Sequence, residues 1–168
     1  YSITAVGKNA LGANTTGAQT CALGHGALAA NTTGNFNNAF GYNALATNTT
    51  SSNNSAFGHA ALTANTTGTS NSAFGSTALD ANTTGSNQTA IGVGALSACT
   101  TGASNTAVGQ ASLSSLTTAS NNTAVGRAAL VSCNGANNTG IGFYAGQSIS
   151  TGTDNTVIGY NAAIAITT

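Results

Sequence analysis

The sequence predicts an all-β fold: a β-solenoid (parallel β-helix or β-roll) of about ten 17-residue coils. One glycine recurs every 17 residues, with a single interval of 16, and we call it the anchor glycine. Apolar β-forming residues precede it in every coil, and the chain has no proline to interrupt strand ladders. Such a period is typical of repeats that stack on their neighbours, so residues 1–168 form a single repeat domain. The anchor glycines are Gly7, Gly24, Gly41, Gly58, Gly75, Gly92, Gly109, Gly126, Gly142 and Gly159.

The residues before the anchor glycine predict a short strand. The residue directly before it, which we call the strand-end column, is always large and apolar, and we expect it to face the core. Two residues earlier comes a column of small polar side chains on the same face, and an alanine column between them faces the other way. Because both faces are restricted, we expect one face to pack against other chains, for example three around an axis. The strand-end column is Val6, Leu23, Phe40, Phe57, Phe74, Ile91, Val108, Val125, Ile141 and Ile158.

A second apolar column lies four residues after the anchor glycine, and we call it the leucine column. Its apolar spacing does not continue at three or four residues, and Asn-Thr-Thr-Gly turn chemistry follows it, so a helix is not expected. We therefore predict a second strand, giving two strands and two turns per coil. The leucine column is Leu11, Leu28, Leu45, Leu62, Leu79, Leu96, Leu113 and Leu130.

Seven residues after the anchor glycine lies what we call the first asparagine column. Its asparagines, each in an Asn-Thr-Thr glycosylation sequon, are Asn14, Asn31, Asn48, Asn65 and Asn82. The column continues as Cys99, Leu116, Cys133, Ile149 and Ile166. Either the asparagines carry glycans or they face inward as a hydrogen-bonded ladder, and the apolar replacements favour the ladder. A second set of sequons, at Asn53, Asn87, Asn121 and Asn137, precedes the strand and is the better candidate for glycosylation.

Composition excludes several functions. The only charged side chains are Lys8, Arg127, Asp80 and Asp154, so no basic patch for nucleic acid is expected. The two carboxylates lie in different columns several coils apart, so no catalytic pair is expected and the chain is not predicted to be an enzyme. No metal ligand set or cofactor motif is found, and no apolar run is long enough for membrane insertion.

The three cysteines do not predict a disulfide within the chain. Cys99 and Cys133 lie two coils apart in one column, about 9.6 Å by strand spacing, which is beyond disulfide reach. We expect these two, and Cys21, to be unpaired residues that replace asparagine or threonine.

The position after the anchor glycine, the variable column, differs from coil to coil and is expected to be exposed. Its aromatics Tyr42, Phe143 and Tyr160 suggest the alternative function of a ligand-binding face for carbohydrate. Ice is the other candidate ligand, because threonine pairs recur in every early coil. Pleat alternation would send the members of each pair to opposite sides, which disfavours ice. The variable column is Lys8, His25, Tyr42, His59, Ser76, Val93, Gln110, Arg127, Phe143 and Tyr160.

The last two coils depart from the pattern by gaining bulk. Atypical terminal repeats often cap or join, so we predict an assembly interface near residues 143–166. Its candidate residues are Phe143, Tyr144, Val157, Ile164 and Ile166.

Repeats of the form N-T-A-V-G-x-x-A-L-x-x-N-T-T-G, from Ser2 to about Ala165, resemble those of bacteriophage tail-fibre-type proteins and trimeric autotransporter adhesin heads. The resemblance implies intertwined β-rolls in a secreted or virion-surface fibre. Together with the columns, it predicts a structural fibre or filament subunit that self-assembles head to tail or as a trimer. We expect an extracellular, cell-surface or virion-surface location, adhesion to a surface glycan or receptor, and an origin as part of a longer chain.

Overall fold

The computed structural model describes residues 2–163, which form a β-solenoid with one short strand per coil. The strands form one parallel sheet in chain order, from β1 to β10. Their bounds are β1 Ile3–Val6, β2 Thr20–Leu23, β3 Asn38–Phe40, β4 Ser55–Phe57, β5 Ser72–Phe74, β6 Thr89–Ile91, β7 Thr106–Val108, β8 Thr123–Val125, β9 Thr139–Ile141 and β10 Thr156–Ile158. The fold class predicted from the repeat is confirmed.

The pairing register follows the repeat directly. Ala39 pairs with Ala56 and Ala56 with Ala73, so each residue lies beside its equivalent in the next coil. The 16-residue interval is absorbed outside the sheet, because Thr123 still pairs with Thr139. Ten strands at about 4.8 Å give a sheet roughly 43 Å long. The described residues contain no helix that could cross a membrane.

The sheet has its alanine column inside the coil and its strand-end column outside. Ala39, Ala56 and Ala73 are fully buried, whereas Phe74 and Ile91 are 39% and 42% exposed. The expectation that the strand-end column faces the core is therefore wrong, although the alternation itself is confirmed. A 17-residue coil is narrow, and the leucines opposite already fill it. A Cβ built on Gly140, at an alanine position, would lie 2.6 Å from Leu130 Cγ, so only a small residue fits there.

The leucine column is fully buried from Leu28 to Leu130, as expected, but it does not form a second strand. Leu28, Leu62 and Leu96 have φ of 51–53°, in the left-handed region. The prediction of two strands per coil is therefore wrong. This backbone conformation is disfavoured for a side chain such as leucine, but it bends the chain and keeps the leucine directed inward, where burial offsets the strain.

The anchor glycine is required by both backbone and space. Gly75 has a φ of 140°, and a Cβ there would lie 2.5 Å from the carbonyl oxygen of Gly92 in the next coil. Gly24, Gly41 and Gly58 show the same contact at 2.3–2.4 Å. Neighbouring coils thus lie too close at these positions for a side chain, which together with the positive φ explains why glycine recurs there.

Candidate functional site

The strand-end column forms a continuous apolar surface along the outer face of the sheet. Its exposed members range from 38% at Val125 to 67% at Ile158. Phe40, Phe57 and Phe74 stack on one another, with ring centroids 4.6 and 4.7 Å apart. The large side chains therefore cover each other along the solenoid axis, but their outward edges face solvent.

The rest of the outer face is neutral. The small polar column, which includes Cys21, Ser55 and Thr106, is half-buried over most of the sheet. No charged residue occupies either outward-facing column. Alternation along each strand thus produces a narrow, uncharged surface, polar on one side and apolar on the other, that repeats with every coil.

The first asparagine column forms the inward ladder that the sequence favours, which confirms that interpretation. The side-chain amide nitrogen of Asn31 donates to Asn14 Oδ1 at 3.0 Å, and that of Asn48 donates to Asn31 Oδ1 at 3.0 Å. The same nitrogen of Asn31 donates to the carbonyl of Gly34 at 3.1 Å, which ties together the two ends of the Thr-Thr turn. Asn31, Asn48, Asn65 and Asn82 are fully buried. A glycan on any of these four would have to break the ladder.

A second ladder, which the sequence analysis missed, begins each strand from coil 3 onward. The Oδ1 atoms of Asn37 and Asn54 each accept the backbone N–H of the next asparagine in the column at 3.0 Å. The Nδ2 of Asn54 donates to the Gly68 carbonyl of the next coil at 3.0 Å. The sequence signal was a nearly constant amide column just before the strand. Its members are Asn37, Asn54, Asn71, Gln88, Asn105, Asn122, Asn138 and Asn155.

The loop asparagines proposed for glycosylation lie on the surface. Asn53, Asn87, Asn121 and Asn137 are all exposed. The amide nitrogen of Asn121 donates to Asn137 Oδ1 at 3.3 Å, and that of Asn137 donates to Asp154 Oδ1 at 3.1 Å. Glycosylation at these positions stays a prediction, which the structure permits sterically.

The aromatic rings of the variable column stack along the solenoid axis. Tyr42 lies between His25 and His59, with ring centroids 5.1 and 5.4 Å away. Phe143 lies between Tyr160, whose ring centroid is 5.3 Å away, and the guanidinium of Arg127, whose Cζ is 5.4 Å from the ring centroid. Both faces of Tyr42 and of Phe143 are therefore covered, so neither ring offers an open face for sugar stacking, whereas Tyr160, the last ring of the column, is 74% exposed.

The threonine pairs lie in bends of the chain rather than in a strand. Thr33 and Thr67 are exposed, whereas Thr32 and Thr66 beside them are half-buried. The hydroxyl of Thr32 donates to the carbonyl of Thr49 at 3.0 Å. Pleat alternation therefore does not apply to these pairs, because the segment is not a strand, and ice binding is not tested by the structure.

The predicted interface at the last coils is only partly described. Phe143 and Tyr144 are half-buried, with their rings in an edge-to-face contact at 4.4 Å. Val157 is 9% exposed and faces the coil interior in the alanine column. Ile164 and Ile166 lie outside the described residues, so the interface stays a prediction.

The titratable groups do not gather into a reactive site. Cys99 and Cys133 are buried and unpaired, and burial raises the pKa of both thiols. Asp80 is half-buried, and desolvation raises the pKa of its carboxyl group, whose Oδ1 has no hydrogen-bond partner. Within residues 2–163, no group of three histidine, cysteine or acidic residues could hold a metal ion, and no pocket is enclosed.

No family model, curated protein or solved structure matches this chain. The resemblance to tail-fibre and adhesin-head repeats therefore rests on the repeat pattern alone. The class that the fold defines is a β-solenoid repeat protein, compatible with a structural scaffold.

Proposed function

We propose that this chain is a structural fibre or filament subunit whose copies associate through the outer face of the sheet and stack end to end. The observation that carries the proposal is the exposed strand-end column, an apolar line spanning all ten strands. Soluble monomers rarely expose long contiguous apolar surfaces, because covering them releases about 25 cal/mol for each Å² buried.

A second copy is the partner that fits this face best. The column repeats at the strand spacing, about 4.8 Å, over roughly 43 Å, and another solenoid of this sequence has the same repeat. The outer face carries no charge, so two copies meet without electrostatic repulsion or the cost of burying an ion. Three copies around an axis, as the resemblance implies, would cover the outer face of the sheet in each copy.

End-to-end stacking follows from the open edges of the sheet. β1 pairs only with β2, and β10 only with β9, so one backbone edge of each terminal strand has no partner strand among the described residues. Such edges are templates for pairing with another chain. Because all the strands are parallel, β10 of one copy and β1 of the next can pair in the same direction. The variable column then points outward along the fibre, where it can contact a surface or receptor.

The test compares two substitutions in one coil, Ile91→Lys and Val93→Lys. Ile91 belongs to the strand-end column and is 42% exposed, whereas Val93 belongs to the variable column and is 55% exposed. Both variants add the same charge at an exposed apolar position, so their folding should be affected alike. Sedimentation velocity should show assemblies for the wild type and for Val93→Lys, and a shift toward single chains for Ile91→Lys. A monomeric wild type at high concentration, or equal behaviour of the two variants, would refute the proposal.

A further inference from the structure

The only arginine of the chain, Arg127 in the variable column, contacts side chains of both neighbouring coils. Its Nε donates to Gln110 Oε1 at 3.2 Å, and its Nη1 donates to the hydroxyl of Tyr144 at 3.3 Å. Its Cζ lies 5.4 Å from the ring centroids of both Phe143 and Tyr144. Side chains from three consecutive coils thus position an exposed guanidinium that would otherwise be mobile.

The charge of this guanidinium is not neutralised by these contacts. Both hydrogen-bond acceptors are neutral oxygens, and two donors leave three of the five guanidinium N–H groups for a ligand. Asp154, in the loop before β10, is not paired with Arg127; its Oδ1 accepts a hydrogen bond from Asn137. Lys8, the other cation of the chain, lies seven coils away. Arg127 is therefore an isolated, preoriented cation that matches a single anionic group.

We propose that Arg127, with Gln110 and Tyr144, binds the anionic group of an acidic polysaccharide that lies along the variable column. A carboxylate or a sulfate ester would accept paired N–H donors from the guanidinium, which is the geometry this side chain favours. No pocket encloses the site, which suits an extended polymer rather than a small molecule. Tyr160, which is 74% exposed in the tenth coil and stacks on Phe143 of the ninth, extends the surface.

The site lies on a different column from the proposed chain-to-chain interface. It follows the anchor glycine, whereas the strand-end column precedes it, and neither Arg127 nor its contact residues belong to the strands of the sheet. Within a fibre, copies of the site would repeat and bind one polymer at several points, which raises a weak single-site affinity. Only this gain depends on the proposed fibre function, because the contact itself is complete in one chain.

The test measures binding to three oligosaccharides at low ionic strength: oligogalacturonate, which carries carboxylates, a sulfated dextran fragment, and neutral cellohexaose. The wild type should bind one or both acidic probes and not cellohexaose, and the better acidic probe identifies the anion. Arg127→Gln should weaken binding at least ten-fold, and Tyr144→Phe, which removes one positioning hydrogen bond, by a few-fold. Lys8→Gln removes the same charge from the same column and should change nothing.

Absence of binding to both acidic probes would overturn the proposal. Equal losses in Arg127→Gln and Lys8→Gln would also overturn it, since they would indicate non-specific attraction. Binding of cellohexaose as tight as that of the acidic probes would show that the anion is not recognised. Sedimentation of the same preparations without oligosaccharide reports fibre assembly separately, so failure of one proposal is distinguishable from failure of the other.

Discussion

Asn82 is the last asparagine of the first ladder, and Cys99 occupies the position of its missing neighbour. The Nδ2 of Asn82 donates to Asn65 Oδ1 at 2.9 Å, but Asn82 Oδ1 is buried without a hydrogen-bond partner. A thiol cannot replace the two-donor amide that each earlier coil supplies to its predecessor. The ladder therefore runs in one direction and ends with an unpaired acceptor in the fifth coil.

Removing an asparagine should cost more in the middle of the ladder than at its end. Asn65→Ala breaks two bonds between ladder amides: Asn48 Oδ1 keeps only the Ser51 hydroxyl as donor, and Asn82 Nδ2 keeps only the Gly85 carbonyl as acceptor. Asn82→Ala breaks one such bond and also removes an acceptor that is already unpaired. We expect Asn65→Ala to lower the free energy of unfolding by about 1 kcal/mol more than Asn82→Ala. Denaturant titration measures the difference, and equal losses would contradict the ladder account.

The anchor glycines that face a following coil, Gly7 to Gly142, should tolerate no side chain. Gly75→Ala would place a Cβ 2.5 Å from the Gly92 carbonyl oxygen at a φ of 140°, so we expect a loss of about 3 kcal/mol or more in unfolding free energy. The control is Gly94→Ala. A Cβ there would meet nothing within 4 Å, and its φ of 66° is close to the 54° of Ala60 in the same column.

For Gly94→Ala we expect a loss of about 1 kcal/mol, from backbone strain alone. Thermal or denaturant unfolding of both variants checks the comparison. If Gly75→Ala were no less stable than Gly94→Ala, the inference that the coils lie too close at the anchor glycine for a side chain would be contradicted.

The thiols should react in two classes. Cys21 lies on the outer face and is half-buried, whereas Cys99 and Cys133 are fully buried with raised pKa values, so little reactive thiolate forms at neutral pH. In the folded single chain, a thiol reagent should label one cysteine rapidly and the other two only after unfolding. Peptide mapping identifies the labelled residue, and rapid labelling of Cys99 would contradict its burial.

Asp80 should make stability depend on acid pH. Burial raises its folded-state pKa above the ordinary 3.8, so the neutral acid is favoured in the folded chain. The free energy of unfolding is then highest below that ordinary value, and falls as the pH rises through the raised pKa. Asp80→Asn should remove this fall, whereas Asp154→Asn, at an exposed position, should retain it. The test is the free energy of unfolding of each variant, measured across the acid pH range. A fall that persists in Asp80→Asn would show that Asp80 is not its cause.

The sequence was sufficient to predict the solenoid, its coil boundaries and the buried leucine column, because these follow from period and polarity. It also predicted the first asparagine ladder, since Leu116 and Ile149 in the same column indicate an interior position. These inferences concern which residues share an environment, and repetition in ten coils makes that pattern visible.

Which face of the sheet lies inside the coil could not be predicted in the same way. Alternation separates Ala56 from Phe57 but does not state which one lies inside, and hydrophobicity alone favours the phenylalanine. The decision is made by space, because Leu62 already fills the narrow coil. The left-handed conformation of Leu62 was equally hidden, since leucine is not a residue that usually marks such turns.

A cryo-EM reconstruction of the assembled material tests the central claim most directly. We predict more than one chain in cross-section, with the strand-end column, including Phe57 and Ile91, packed against another copy and the variable column facing solvent. Isolated single solenoids with Phe57 and Ile91 facing solvent, or assemblies joined through the variable column, would contradict it.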